Sequence, residues 1–332
     1  MTVLDTAEAR FPGHLHSAYD TTARELTVIA LQRLAGDVLH ITFAAPDGGP
    51  LAPYQPGSHL IVTAGDTRNA YSLTGADLNP MRYEISVLRK VDGCGSVWLH
   101  DQLEVGMAVE IEGPRCLFPA VADQRHALLV AGGIGVTPVL SHARAIARAG
   151  GTADIIYSYR PGHDAHVGDL RELATRPGIE LFEVDTIDGT RALLAEQLSA
   201  QPLGTHAYAC GPIPMLDTYQ ELAALAGWPA ARVHLERFTA PEQDPGQPFS
   251  VRVASTGEVL TVPAGVSLLQ RLLDAGLTVN NLCRQGVCGE CRIPVRAGSL
   301  EHRDFVLTED ERDAGDSMLC CVSRGSDIEV DL

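Results

Sequence analysis

Cys283-Arg284-Gln285-Gly286-Val287-Cys288-Gly289-Glu290-Cys291, answered further on by Cys321, is the stretch that decides how the last third of the chain folds. The spacing is C-x4-C-x2-C, with 29 residues before the fourth cysteine. Four thiolates so placed suit a plant-type [2Fe–2S] cluster, whose two irons and two sulfides need four cysteine ligands. Cys283, Cys288 and Cys291 come from one tight loop, and Cys321 must return from a distant strand. Gly286 and Gly289 let the loop curl so that backbone N–H groups can face the sulfurs. Disulfides and a zinc site are the competing readings, but zinc spacing usually repeats C-x2-C, which this chain does not. Cys320 adjoins Cys321; neighbours on a strand face opposite sides, so Cys320 reads as a packed thiol. Cys94, Cys116 and Cys210 are scattered and build no second cluster.

With 332 residues the chain is too long for one ordinary core and suits two or three domains of about 100–150 residues. The formal charge of −17 argues against nucleic acid or an anionic membrane as partner. It suits docking onto a protein with a basic patch. No run of about twenty apolar residues predicts a membrane span, and no basic-then-apolar start predicts a secretory signal. Cluster thiolates must stay reduced during assembly, which agrees with a cytoplasmic location.

Residues 1–24 are polar and mixed and read as an N-terminal arm or an added first strand. From 25 to about 122 come short alternating runs between Gly and Pro: Leu26–Leu34, Val38–Ala44, His59–Thr63, Ala70–Thr74, Arg82–Leu88 and Ala108–Glu112. This rhythm predicts an antiparallel β-barrel, with one short helix over Ser96–Gln102. From 123 to 237 the rhythm changes to alternating strand and helix, which predicts an α/β domain built on a parallel sheet. Its expected strands are Ala127–Ala131, Ala153–Tyr159, Ile179–Val184 and His206–Cys210. The helices expected between and after them run to Ala149 and over Asp169–Thr175, Ala192–Ala200 and Met215–Ala226. Residues 238–248, rich in Pro, Gly and acid, read as a linker, and 249–332 as a small α+β module of β-grasp type that carries the cluster loop.

Gly132-Gly133-Ile134-Gly135-Val136-Thr137-Pro138 leaves a strand and opens a helix. Glycines let the backbone approach a pyrophosphate, and free N–H groups at a helix start attract its charge. Pro138 fits the first helical position, where a missing N–H costs nothing. Cys210-Gly211-Pro212 ends a later strand, on the side of the sheet where such ligands bind. Arg160, just beyond the second strand, could take a 2′-phosphate, so NADPH stands open beside NADH.

Within the barrel, Arg68-Asn69-Ala70-Tyr71-Ser72 combines a cation, an aromatic ring and a hydroxyl. Such a strand can cover a flavin ring with Tyr71, offer Ser72 to its N5 edge and bring Arg68 near a phosphate. Gly93-Cys94-Gly95-Ser96 opens the short helix and gives a second place for phosphate, at Gly95 and Ser96. A chain holding both a hydride carrier and a one-electron cluster needs a converter, and flavin takes a hydride and gives electrons singly.

Over residues 25–332 the chain resembles the phthalate dioxygenase reductase family, more narrowly its vanillate, phenoxybenzoate and carnitine oxygenase members. The resemblance rests on Asn69-Ala70-Tyr71-Ser72-Leu73, Gly132 to Pro138, Cys210-Gly211-Pro212, the cluster loop, His302 to Leu307, and Cys321 to Arg324, in that order. It implies FMN, usually NADH, and a partner terminal oxygenase with a Rieske centre and mononuclear iron, met by transient docking of a monomeric reductase. The broader flavin-reductase pattern has one residue between Arg and Tyr-Ser; here Asn69 and Ala70 both intervene. The implied arrangement sets nicotinamide over the flavin between Ser72 and Thr137, with Cys210 at its edge. Phe238 is positioned either to stack on the flavin or to fill a core. Two rival functions are a reductase serving a cytochrome P450, and an electron carrier in which only the iron–sulfur module is active.

Overall fold

The computed structural model describes residues 22–332 except 77 and 92. Most of the expected N-terminal arm therefore lies outside the described residues, and Arg24 already belongs to a strand.

The first sheet contains β1 (Arg24–Leu34), β2 (Val38–Ala44), β3 (Ser58–Ala64), β4 (Thr67–Ser72), β5 (Tyr83–Leu88) and β6 (Ala108–Cys116), with α1 (Cys94–Asp101) before β6. The order is β4-β3-β6-β1-β2-β5, and a Leu73–Ile85 bridge draws the two edges together into a half-open barrel. Alternation explains its core: Val28, Ile41, Phe43, Leu60, Ile85 and Val87 are wholly buried, while their neighbours along each strand face out or toward the next domain.

The second sheet is parallel throughout: β7 (His126–Gly132), β8 (Ala153–Ser158), β9 (Ile179–Val184), β10 (Thr205–Cys210) and β11 (Val233–Glu236), in the order β11-β10-β7-β8-β9. Helices α2 (Val136–Ala149) and α3 (Val167–Leu173) bury one face, and α4 (Ile187–Ala200) and α5 (Ile213–Leu225) the other. Two details depart from the sequence expectation. β11 has four residues and ends in Glu236, too short and too polar to stand out as a strand; it is fixed by pairing with β10. α4 begins at Ile187, five residues before Ala192, because the Thr186 hydroxyl caps the N–H of Gly189 at 3.2 Å.

The third sheet is mixed: β12 (Phe249–Val253), β13 (Val259–Val262), β14 (Arg292–Glu301), β15 (Ser317–Leu319) and β16 (Arg324–Val330), in the order β13-β12-β16-β14-β15. β12 and β16 pair in parallel, as in a β-grasp. Helix α6 (Leu268–Asp274) buries Leu268, Leu269 and Leu272 on this sheet, and α7 (Glu309–Ala314) starts on a Thr308–Glu311 capping box. The stretch 238–248 has no regular structure but is pinned to this module. Gln243 donates to the Arg303 carbonyl and Arg303 to the Asp244 carbonyl, each at 2.8 Å, and Arg324 donates to Gln247 O at 2.9 Å. Among the described residues no helix is long and apolar enough to cross a membrane.

Candidate functional site

One cavity of about 400 Å³ opens where the three sheets meet. Its barrel wall includes Asn69, Ala70, Tyr71 and Ser72 from β4, Ser86 and Leu88 from β5, and Gly93–Ser96 at the start of α1. Ile134, Thr137 and Glu236 to Phe238 close it from the nucleotide domain. Leu282, Cys283, Gln285, Val287 and Cys288 close it from the cluster loop.

Ser72 is buried and lies opposite His59 in the β3–β4 register. Burial raises the Tyr71 phenol above its ordinary value, so the ring stays neutral. Burial, then the Arg115 charge, lowers His59 to about 4, so its imidazole is neutral at pH 7. Arg68 is not part of this wall. Its side chain points outward and pairs with Glu112, as alternation along β4 requires once Tyr71 faces in.

At α1, an ideal Cβ on Gly95 would come within 2.7 Å of Thr67 Oγ1 and still nearer Asn69 Nδ2, so glycine lets the helix start close on β4 without displacing those two side chains. Ser96 turns its hydroxyl to its own loop, donating to Gly93 O and accepting from Lys90 N, both at 3.1 Å. Gly93 gives α1 no side-chain cap, so the first helical N–H groups are left for another acceptor.

The glycine turn is built by close approach. A Cβ on Gly135 would lie 2.2 Å from the Cys210 carbonyl oxygen, so the turn after β7 packs backbone to backbone on the turn after β10. Gly211 has Gly132 Cα 3.0 Å from its own missing Cβ. Gly133 has φ +52 and nothing within 4 Å of that position, so it faces open space in a left-handed conformation. Thr137 is buried and donates to Ile134 O at 3.0 Å. Pro138 is the third residue of α2, not the first, because a 3₁₀ turn over Gly133–Gly135 precedes the helix. Its N–H would still have been among the four without a partner. Pro212 caps α5. Arg160 is exposed in the loop beyond β8.

Cys210 differs most from expectation. It is wholly buried, burial holds its thiol well above the ordinary value, and it does not line the cavity. At the same level of the sheet the cavity is reached instead by its register partner Glu236. Burial pushes this carboxyl up to about 8, and its Oε2 is buried with no hydrogen-bond partner. Next to it Arg237 donates to Asp217 and Gln220, each at 3.0 Å, and stacks over Phe305 of the third module at 5.1 Å. Sequence reading did not anticipate His59, Ser86, Glu236 or Arg237. The last two could be found only by placing β11 beside β10, since ligands in parallel sheets bind beyond the strand C-terminal ends.

In the cluster loop, Arg284, Gly286 and Gly289 have φ of 56°, 73° and 79°. Left-handed residues among right-handed ones turn successive N–H groups to one side, the concavity that suits anions and iron–sulfur clusters. The Gln285 N–H points at Cys283 Sγ at 3.3 Å. Hydrogen bonding from Cys288 first, then from the N–H groups of Gln285, Val287 and Cys288, lowers the Cys283 thiol. Cys283 lies against Cys288, while Cys291 meets the Cys320 thiol first and then that of Cys321. Among the described residues no three His, Cys, Asp or Glu side chains group around a single metal position. Cys321 also receives the Gly286 N–H, whereas Cys320 is wholly buried and directs its thiol to Cys291 O at 3.2 Å. The donor set and the loop fit a [2Fe–2S] group. Asp304, buried behind the loop, accepts from the N–H groups of Val306 and Leu307 at 3.0 and 2.8 Å. Glu290 pairs with Arg115, which ties the loop to the barrel.

A family model described as dimethylamine monooxygenase subunit DmmA-like, N-terminal domain, matches residues 117–233, and a 2Fe-2S iron-sulfur cluster binding domain matches 251–325. The beta subunit of a heme-dependent oxidative N-demethylase from Ectopseudomonas mendocina is 40% identical over 319 residues, 94% of this chain and 100% of that one. The solved structure of a phthalate dioxygenase reductase, described as modular for electron transfer from pyridine nucleotides to [2Fe-2S], is 32% identical with a TM-score of 0.69. The match covers 93% of this chain and 98% of that one. An intact type IV self-sufficient cytochrome P450 monooxygenase is 32% identical with a TM-score of 0.80 over 93% of this chain, which spans 41% of that protein.

Proposed function

The chain belongs to the phthalate dioxygenase reductase family, and from that premise we propose that it passes electrons from NADH through FMN and a [2Fe–2S] cluster to a terminal oxygenase. We take 25–122 as the flavin unit, 123–237 as the nucleotide unit and 249–332 as the cluster unit, joined through 238–248. The observation that carries the reading is the single cavity bounded by Tyr71 and Ser72, by Ile134 and Thr137, and by Cys283 and Cys288.

Held by these residues, FMN would supply the conversion from a hydride of the nicotinamide to electrons passed on one at a time. The chain's part is to hold and orient. Asn69, Ala70, Tyr71 and Ser72 line the ring's side of the cavity, and the α1 start with Gly95 and Ser96 offers free N–H groups to its phosphate. Gly132, Gly133 and Gly135 clear the approach for a pyrophosphate at the start of α2, with Gly211 and Pro212 forming the opposite lip. Phe238, 38% exposed at the cavity wall, covers the ring when nicotinamide is absent. Protonated at pH 7, Glu236 can donate a hydrogen bond at the nicotinamide edge, the place expected of Cys210. Cys283, Cys288, Cys291 and Cys321 hold the cluster. Arg160 remains the candidate for a 2′-phosphate, and Arg68 serves Glu112 rather than the flavin phosphate.

The reductase acts as a cytoplasmic monomer that docks transiently. A Rieske-type oxygenase is the first acceptor to test. A haem-dependent N-demethylase is the second, favoured by the model match over 117–233 and by the 40% identical relative. The visible spectrum before and after anaerobic NADH tests the cofactor chain: cluster bands and released FMN, both bleached by NADH, are expected. A cluster without flavin refutes it. Reconstitution with each kind of oxygenase, read as NADH consumed per product formed, distinguishes the acceptors.

A further inference from the structure

Behind the β5 wall runs a chain of hydrogen bonds that hydride and electron transfer leave unused. Ser86 faces the cavity and is 4% exposed. Its Oγ lies 2.7 Å from His166 Nε2, and His166 Nδ1 lies 2.8 Å from Asp169 Oδ2. On its other side Ser86 Oγ is 2.9 Å from His40 Nδ1. Arg144 of α2 donates to Asp169 Oδ1 at 2.6 Å and to Thr74 O at 2.9 Å, which fixes the carboxylate. Exposure rises along the row: the His166 side chain is 3% exposed and that of Asp169 37%. His166 also holds φ +64, a left-handed conformation that a non-glycine residue keeps only where its surroundings impose it.

These contacts fix the protons. Asp169, ionised beside Arg144, accepts the His166 Nδ1–H, which leaves Nε2 as an acceptor for the Ser86 hydroxyl. His40 Nδ1–H then donates to Ser86 Oγ. A proton reaching Ser86 Oγ from the cavity can push the hydroxyl's own proton onto His166 Nε2. The resulting imidazolium is stabilised by Asp169 and can release its Nδ1 proton through that half-exposed carboxylate to water.

The reductase reading, on which this inference rests, creates the need. NADH gives up a hydride, two electrons with one proton; the electrons leave singly for the acceptor, so one proton per NADH must leave the cavity. We infer that Ser86, His166 and Asp169 form the path by which that proton reaches solvent. The charged groups facing the pair of imidazoles are Glu84 on β5, Arg144 on α2 and Asp169 on α3. The one Ser86 hydroxyl proton is already directed at His166 Nε2 while Oγ accepts from His40, so an arriving proton is handed on to the His166 side.

The test uses the protein loaded with flavin and cluster, with ferricyanide as acceptor and a pH-indicator dye in stopped flow. His166→Asn keeps a residue that tolerates a left-handed φ but cannot relay a proton between two ring nitrogens. Flavin bleaching by NADH should keep its wild-type rate while proton appearance slows on the order of 100-fold. Ser86→Ala should slow proton appearance likewise, and Ser86→Thr, which retains the hydroxyl, should restore it. A readout independent of turnover is the ¹⁵N-histidine spectrum at one fixed pH. The His166 Nε2 signal should carry the shift of a hydrogen-bond acceptor in the wild type and lose it in Ser86→Ala. Wild-type proton release in His166→Asn, or an Nε2 signal unchanged without Ser86, overturns the path. If NADH fails to bleach the wild-type flavin, the reductase reading itself has failed, which the dye is not needed to reveal.

Discussion

Gly135→Ala puts the packing of the nucleotide turn to the sharpest test. The added Cβ would lie 2.2 Å from Cys210 O, 2.4 Å from Cys210 C and 2.8 Å from Gly211 N, all backbone atoms that cannot rotate away. Reaching even 3.0 Å from the carbonyl oxygen requires the two turns to part by about 0.8 Å, and ordinary contact requires more. Displacements near 1 Å cost about 100-fold in catalytic efficiency when they misplace a bound reactant. The expected result is a fall of that order in kcat/KM for NADH, carried mostly by KM, with flavin and cluster absorption unchanged. Ferricyanide reduction under steady state measures it. Gly133→Ala differs in kind: its Cβ meets no protein atom within 4 Å, so within the chain only the left-handed φ of +52 is penalised, about 1–2 kcal/mol, and any further rise in KM comes from the pyrophosphate's own approach. A Gly135→Ala protein with kcat/KM within twofold of wild type refutes the close packing of these turns as the basis of nicotinamide binding.

The other expectations are simpler to state. Cys288→Ser should abolish cluster absorption while NADH still bleaches the flavin; loss of both would mean that the modules do not fold independently. Cys320→Ser should retain the cluster, because Cys320 sits in the core and bonds Cys291 O; a colourless protein would make Cys320 the ligand. Glu236→Gln probes the carboxyl that burial holds at about 8. Between its unfolded value near 4.5 and about 8, the unfolded chain loses this proton while the folded one keeps it, so rising pH costs the wild type stability. Gln cannot ionise, so the melting-temperature difference should move in favour of Glu236→Gln from pH 5 to pH 8 and then level off. A difference that stays flat with pH contradicts a carboxyl whose Oε2 is buried without a hydrogen-bond partner.

What the sequence revealed depends on how local each constraint is. The cluster loop is legible because four thiolates and the left-handed residues between them must be spelled out within a few positions. Gly132 to Pro138 is legible for the same reason, since the turn and helix start are contiguous. Cys210 is legible as a motif but not as a surface: lying on the interior strand β10, it is covered, and its neighbour on the edge strand β11 reaches the cavity instead. The direction of Arg68 is not legible from its motif alone: alternation along β4, once Tyr71 faces inward, turns the guanidinium out to Glu112. Ser86 and His40 stand on β5 and β2, and His166 and Asp169 on the cap and first turn of α3 in another domain; no spacing rule joins the two pairs.

The cavity also explains why the order of motifs carries more information than any one of them. A pyrophosphate turn, an aromatic-hydroxyl strand and a cysteine loop each occur in unrelated folds. Here Cys283 and Cys288 share the cavity wall with Tyr71 and Thr137, whereas Cys291 is buried in the third module's core. That placement does not depend on the linker alone. Arg115, nearly buried, binds Glu112 of its own strand and Glu290 of the loop, and Arg237 stacks on Phe305. Buried ion pairs add little net stability, because desolvation offsets most of their attraction, but breaking one strands a charge. Their effect here is positional: a loop shifted from the barrel strips Glu290 of its partner and Arg115 of one of its two carboxylates, so the docked arrangement is the one in which these charges are best satisfied.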